Sequence, residues 1–109
     1  MATKRLRPVH PGDILRHDFM ESLKLTAYRV AKDLGVSAPT VNEIVRLRKS
    51  VTAEMALRLA RYSGTSAQLW LNLQTQYDLE VASKKAGKNI QKTIQPAVLP
   101  GHAPADQVV

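Results

Sequence analysis

The sequence contains no cysteine, and only five of its 109 residues are aromatic. Disulfides and thiolate metal sites are therefore excluded, and the chain fits a reducing compartment. No apolar run approaches the roughly 20 residues that a helix needs to cross a bilayer. The N-terminal stretch MATKRLRPVHPG is basic but lacks the apolar core of a secretory signal. These absences predict a cytoplasmic protein with one small core and no membrane contact.

The marks of common catalytic sites are also missing. His10, His17 and His102 are scattered, with no helical histidine pair and no Glu-x-x-His arrangement. There is no Gly-rich phosphate loop and no metal-ligand spacing. Asp13 and Glu54 suit the start of a helix better than acid–base chemistry. We therefore expect no enzyme activity, no cofactor, no metal and no small-molecule substrate.

What the chain has is positive charge. Sixteen lysines and arginines stand against nine acidic residues, a formal net charge of +7. A basic surface favours polyanions such as nucleic acid, or acidic proteins. The cations gather in three clusters, each of which could also be ordinary solvated surface: Lys4, Arg5 and Arg7; Arg46, Arg48 and Lys49; Lys84, Lys85, Lys88 and Lys92.

Apolar periodicity and capping residues predict an all-α domain of five helices around one core. The first follows the turn His10-Pro11-Gly12-Asp13 and should end near Ser22. The others should span about 27–34, 38–45, 53–63 and 67–82. The predicted organisation is a flexible basic arm over residues 1–9, a domain over residues 10–82, and a basic, then proline-rich tail over residues 83–109. Within the tail, residues 86–109 are predicted to be mostly disordered.

The stretch Leu25–Val45 organises this domain. Thr26 and Ser37 are suited to cap two short helices, and Gly35 suits the sharp turn between them. Val41, Ile44 and Val45 form the apolar stripe of the second helix. This pattern is typical of a helix-turn-helix, whose second helix can lie in the DNA major groove.

The residues left facing outward form the predicted DNA-binding surface. Thr40 can offer a hydroxyl or a methyl, and Glu43 can accept from a cytosine amino group. The arginines and the lysine are suited to bind phosphates. The alternative to a DNA-binding surface is a helix pair that packs against the domain without contacting DNA. The predicted DNA-binding residues are Arg29, Ser37, Ala38, Pro39, Thr40, Asn42, Glu43, Arg46, Arg48 and Lys49.

The fifth helix carries more apolar surface than a small core can cover. Two modules pairing over a palindrome would gain affinity through effective concentration. The predicted dimerisation residues are Trp70, Leu71, Leu73, Tyr77 and Leu79. The alternative is that some of them, Trp70 and Leu73 first, belong simply to the core.

Residues 9–82 resemble the HigA-type antitoxins of bacterial toxin–antitoxin operons, within the lambda-repressor-like Cro/C1 class of helix-turn-helix proteins. The resemblance is most specific in HPGDIL, in VNEIV and in TAEMALRLARYSGTSAQLWLNLQTQYDLE. It implies a dimeric autorepressor that binds palindromic operator DNA and neutralises a HigB-type toxin, a small RelE-like mRNA endonuclease. One departure is Ala27, where relatives often carry a glutamine that supports DNA contact.

Two other functions remain open at this point. A standalone helix-turn-helix regulator would have the same fold and no toxin partner. A protein-interaction module would instead use the basic arm and tail to bind an acidic protein or RNA. Gene neighbourhood separates the first alternative from an antitoxin, and binding to the chain's own promoter separates the second.

Overall fold

The computed structural model describes residues 8–98, and within them the predicted all-α, five-helix fold is confirmed. The described residues contain no strand. Residues 1–7 of the predicted arm and residues 99–109 of the predicted tail lie outside the described part. The helices are α1, which begins as α-helix at Pro11–Ile14 and continues in π-helical geometry over Leu15–Glu21, α2 (Ala27–Leu34), α3 (Ala38–Val45), α4 (Ala53–Ser63) and α5 (Ala67–Thr93).

Four of the helices begin with an N-cap, in which a side-chain hydroxyl accepts a hydrogen bond from a backbone N–H of the first turn. The hydroxyls of Thr26, Ser37, Thr52 and Ser66 each accept from the N–H three residues on, at 3.1 to 3.3 Å. Each such cap is worth about 1 kcal/mol. Because these signals are local, the starts of α2, α3, α4 and α5 all match the sequence prediction.

The core lies where α1, α3, α4 and α5 meet, with α2 packed against α3 and α4. It is built from aliphatic side chains and one tryptophan. The largest of its fully buried members are Trp70, Leu15, Ile44, Leu59, Val30 and Val41.

The turn at His10 joins α1 to the end of α3. The His10 ring Nδ1 accepts from the Gly12 N–H at 2.8 Å, and the Asp13 carboxylate accepts from the His10 N–H at 3.1 Å. A Cβ at position 12 would overlap the carbonyl oxygen of Ile44. The glycine of the HPGD turn therefore lets the backbone of α1 approach the backbone of α3.

The predicted end of the fifth helix near Ala82 is wrong, because α5 continues for eleven more residues to Thr93. Four of the eleven residues 83–93 are lysines, which favour helix, and Ala86 and Gln91 favour it as well. The first residue that cannot continue the helix is Pro96, and Ile94 already has extended geometry. The prediction of disorder, made for residues 86–109, is therefore corrected for residues 86–93, which are helical.

No helix among residues 8–98 combines the length and the apolar character needed to cross a membrane.

Candidate nucleic-acid interface

The turn between α2 and α3 is closed by backbone geometry and by one long side chain. Gly35 lies in the left-handed region with φ of 74°, where a side chain would be strained. The Val36 N–H donates to the Ala31 carbonyl at 3.0 Å. From α4, Arg58 donates to the Leu34 carbonyl at 2.8 Å, so a helix outside the motif holds the C-terminal end of α2.

The orientation of α3 agrees with the predicted inward face. Val41 and Ile44 are at most 1% exposed, and Val45 is half-buried at the edge of the core. The predicted DNA-facing side chains of α3 divide into two groups. Ser37 and Pro39 are exposed, while four are half-buried: Ala38, Thr40, Asn42 and Glu43.

The hydroxyls of Ser37 and Thr40 lie 2.8 Å apart and hydrogen-bond to each other. One of the bonds available to Thr40 is therefore made within the first turn of α3. The unused hydrogen-bonding capacity of the hydroxyl and the methyl group are what Thr40 could present to a base edge.

Residues 46–50 form an exposed segment after α3 that we call the basic loop. Leu47 adopts a left-handed conformation with φ of 64°, and the Arg48 N–H donates back to the Glu43 carbonyl at 2.9 Å. This turn half-buries Leu47 and leaves Arg46, Arg48 and Lys49 exposed. None of these three cations forms an ion pair with any residue between 8 and 98. Their charge is available to a polyanion.

Arg29 differs from these three cations because it already has a partner. Its Nε donates to both carboxylate oxygens of Asp33, at 2.9 and 3.1 Å. Asp33 also accepts from the Tyr62 hydroxyl at 2.7 Å. The Tyr62 hydrogen bond, followed by those from Arg29, lowers the pKa of the Asp33 carboxyl below its ordinary value. A phosphate at Arg29 would therefore compete with a carboxylate that stays ionised.

The sequence prediction missed the residue that holds the far end of the basic loop. Gln74 of α5 is 5% exposed, and its Oε1 accepts from the buried Val51 N–H at 2.8 Å. Its Nε2 donates to Asp78 at 2.9 Å. The available signal was a lone amide on the core-facing side of α5, between Trp70 and Tyr77. Its partner, 23 residues away, could not be read from spacing.

No group of three or more metal-ligating side chains occurs among the residues that the structure describes.

Comparison with known proteins identifies the fold family. A helix-turn-helix family model matches residues 17–70. The virulence-associated protein I of Dichelobacter nodosus is 50% identical over 76 residues, which are 70% of each chain. The solved structure of Pseudomonas aeruginosa antitoxin HigA with the higBA promoter is 48% identical, with a TM-score of 0.81, and the match covers 84% of this chain and all of that one. Antitoxin HigA-1 of Vibrio cholerae serotype O1 is 36% identical over 77 residues, which are 71% of each chain.

The chain belongs to the HigA-type family of helix-turn-helix proteins. In this HigA-type chain the part matched by the family model contains the whole of α2, α3 and α4.

In this HigA-type chain, the five residues predicted for dimerisation differ in burial and in the contacts they make. Trp70 is 1% exposed and donates from Nε1 to the Thr65 hydroxyl at 2.9 Å. It offers almost no surface to a partner, which favours the alternative that Trp70 belongs to the core. Tyr77 is half-buried with its ring edge-on to His10, the centroids 4.7 Å apart.

The remaining three predicted interface residues differ in exposure. Leu71 and Leu73 are half-buried against the core, while Leu79 is 62% exposed. The core alternative therefore applies to Trp70, and Leu79 is the member of the set that a partner could cover most fully.

Proposed function

We propose that this chain is an antitoxin and transcriptional autorepressor that acts in the cytoplasm. It binds a palindromic operator in its own promoter as a dimer and neutralises a HigB-type, RelE-like mRNA-cleaving toxin. The observation that carries the DNA-binding part is the basic loop. Three exposed cations, none of them in an ion pair within residues 8–98, directly follow α3. The antitoxin HigA solved with the higBA promoter supports the same use of the fold.

The proposed interface depends more on phosphates than on bases. Arg46, Arg48 and Lys49 are placed to bind backbone phosphates, which supply salt-dependent affinity and fix the register. Base contacts are left to half-buried groups of α3. Asn42 can pair with adenine and Glu43 can accept from cytosine. A thin set of base contacts makes dimerisation necessary for a specific site.

The outer face of α5 is the surface we propose for the second copy. Leu79 and Ile90 are 62% and 48% exposed, and Ser83 and Ala86 lie between them. These four residues are spaced by four, three and four, which is the spacing of a coiled-coil seam. Two copies paired along this seam would present two recognition helices to one palindrome.

The test of DNA binding is a titration of the chain's own promoter at several salt concentrations. Replacing Arg46, Arg48 and Lys49 by alanine should weaken binding and reduce the salt slope by about 2 to 3, since each lost phosphate contact removes about 0.9. Replacing Lys84, Lys85 and Lys88 by alanine removes the same charge and should leave the slope near that of the wild type. Equal slopes for the wild type and the loop variant would count against this interface.

The toxin-binding part is tested separately by expression from the native operon. A HigB-type protein should co-purify with the chain, and cells that express this protein should grow only when the chain is also expressed. A promoter-binding chain that neither captures nor neutralises the neighbouring gene product would instead be a standalone regulator.

A further inference from the structure

The basic loop is held at both ends by hydrogen bonds of different origin. At its start, the Arg46 and Arg48 N–H groups donate to the Asn42 and Glu43 carbonyls of α3. At its end, the Val51 N–H donates to Gln74 of α5. The first anchor belongs to α3, the proposed recognition helix. The second belongs to α5, which contributes no other residue to the proposed DNA interface.

The second anchor is buried, and both polar atoms of the Gln74 amide are hydrogen-bonded. Val51 is 3% exposed and Gln74 is 5% exposed, and Gln74 uses Oε1 for Val51 and Nε2 for Asp78. An amide held by one donor and one acceptor cannot rotate without breaking both bonds. Asp78 is itself exposed, so a surface carboxylate fixes the orientation of a buried amide.

We propose that Gln74 is a positioning residue for the phosphate contacts of the basic loop, with Asp78 fixing the direction of the Gln74 amide. This inference rests on the proposed DNA-binding function. Without the Gln74 acceptor, the Val51 N–H would be buried and unpaired, an arrangement that is relieved when the chain moves to let water reach it. Lys49 and Ser50 are the only residues between that N–H and the Arg48 anchor, so the movement reaches the cations directly.

The first test is the replacement Gln74→Met, which keeps the volume and removes both hydrogen-bonding groups. In titrations of the promoter, the variant should bind roughly tenfold more weakly, with a salt slope smaller by about 1 to 2. Exchange of the Val51 amide hydrogen should become faster. In the background of the triple loop alanine variant, Gln74→Met should have little further effect on binding, because the contacts it positions are already gone.

The second test exchanges the two side-chain groups. Gln74→Glu keeps the acceptor for Val51 but places a carboxylate against Asp78, so it should weaken binding. Adding Asp78→Asn restores an amide opposite the carboxylate at the same net charge as the wild type. The double variant should regain most of the affinity and the wild-type salt slope.

The outcomes separate a positioning role from a merely structural one. If Gln74→Met lowers the thermal midpoint but leaves the salt slope of the folded protein unchanged, the residue only stabilises the fold and the inference is overturned. Failure of Asp78→Asn to rescue Gln74→Glu would equally overturn the role given to Asp78. If the wild-type chain itself shows no salt-dependent promoter binding, the proposed function fails, which is a different result.

Discussion

Gly12 is the single residue on which the contact between α1 and α3 depends most directly. Its backbone lies against the Ile44 carbonyl at the end of the recognition helix, at a distance that leaves no room for a Cβ. Gly87 offers a contrast within the same chain, because it lies inside α5 and its added Cβ would meet only the Ser83 hydroxyl, at 3.4 Å. Position 12 therefore has no room for a side chain, whereas position 87 has room for a methyl group.

The substitutions Gly12→Ala and Gly87→Ala should change stability in opposite directions. Gly12→Ala forces α1 away from α3 and should lower the free energy of unfolding by roughly 1–3 kcal/mol, as overpacking does. Gly87→Ala lies at an open helical position and should raise it by about 0.5–1 kcal/mol. Denaturant unfolding measures both, and an unaffected Gly12→Ala variant would contradict the close approach described here.

At the scale of the helices, the sequence predicts the boundaries that depend on interactions between residues close together in the chain. The hydroxyl caps at Thr26 and Ser37 and the left-handed Gly35 act within four residues, so α2 and α3 were bounded correctly. The Gln74 bond to Val51 spans 23 residues and left no trace in spacing. The end of α5 was missed because a lysine-rich helix without a core face has the same composition as a disordered tail.

The outer face of α5 yields a prediction about assembly. Leu79→Glu places a charge in the proposed seam and should shift sedimentation toward monomer and weaken promoter binding. Leu57→Glu is the matched control, since Leu57 on α4 is 64% exposed against 62% for Leu79. The control variant should sediment like the wild type. Dimers that persist in Leu79→Glu would place the interface elsewhere.

Across the described residues, α5 connects the two ends of the surface proposed to face DNA. Tyr77 packs on His10 beside Gly12, which touches the end of α3, and Gln74, about one turn earlier, holds Val51 after the basic loop. α5 therefore contacts both the turn that packs on the end of α3 and the residue that follows the basic loop. His10 is the titratable member of this group, and its protonation links the arrangement to pH.

Burial lowers the pKa of His10 below its ordinary value of 6.5, although the nearby Asp13 and Asp78 carboxylates oppose the shift. Below pH 6.5 the unfolded chain takes up a proton at this residue more readily than the folded chain. The free energy of unfolding should therefore fall as pH decreases from 6.5 and level off below the folded pKa. Glu21 and Asp33, whose carboxyl pKa values are lowered by hydrogen bonds from His17 and Tyr62, lose stabilisation only below their ordinary values of 4.5 and 3.8.

The variant His10→Asn isolates this effect, because asparagine can still accept the Gly12 N–H as a helix cap but does not titrate. Its absolute stability should be lower, since the ring contact with Tyr77 is lost. Its unfolding free energy should nevertheless vary less with pH between about 6.5 and 4.5 than that of the wild type. Titratable groups that do not interact with His10 are common to both proteins, so their contributions cancel in the comparison. Parallel pH profiles would mean that His10 is as easily protonated in the folded chain as in the unfolded one.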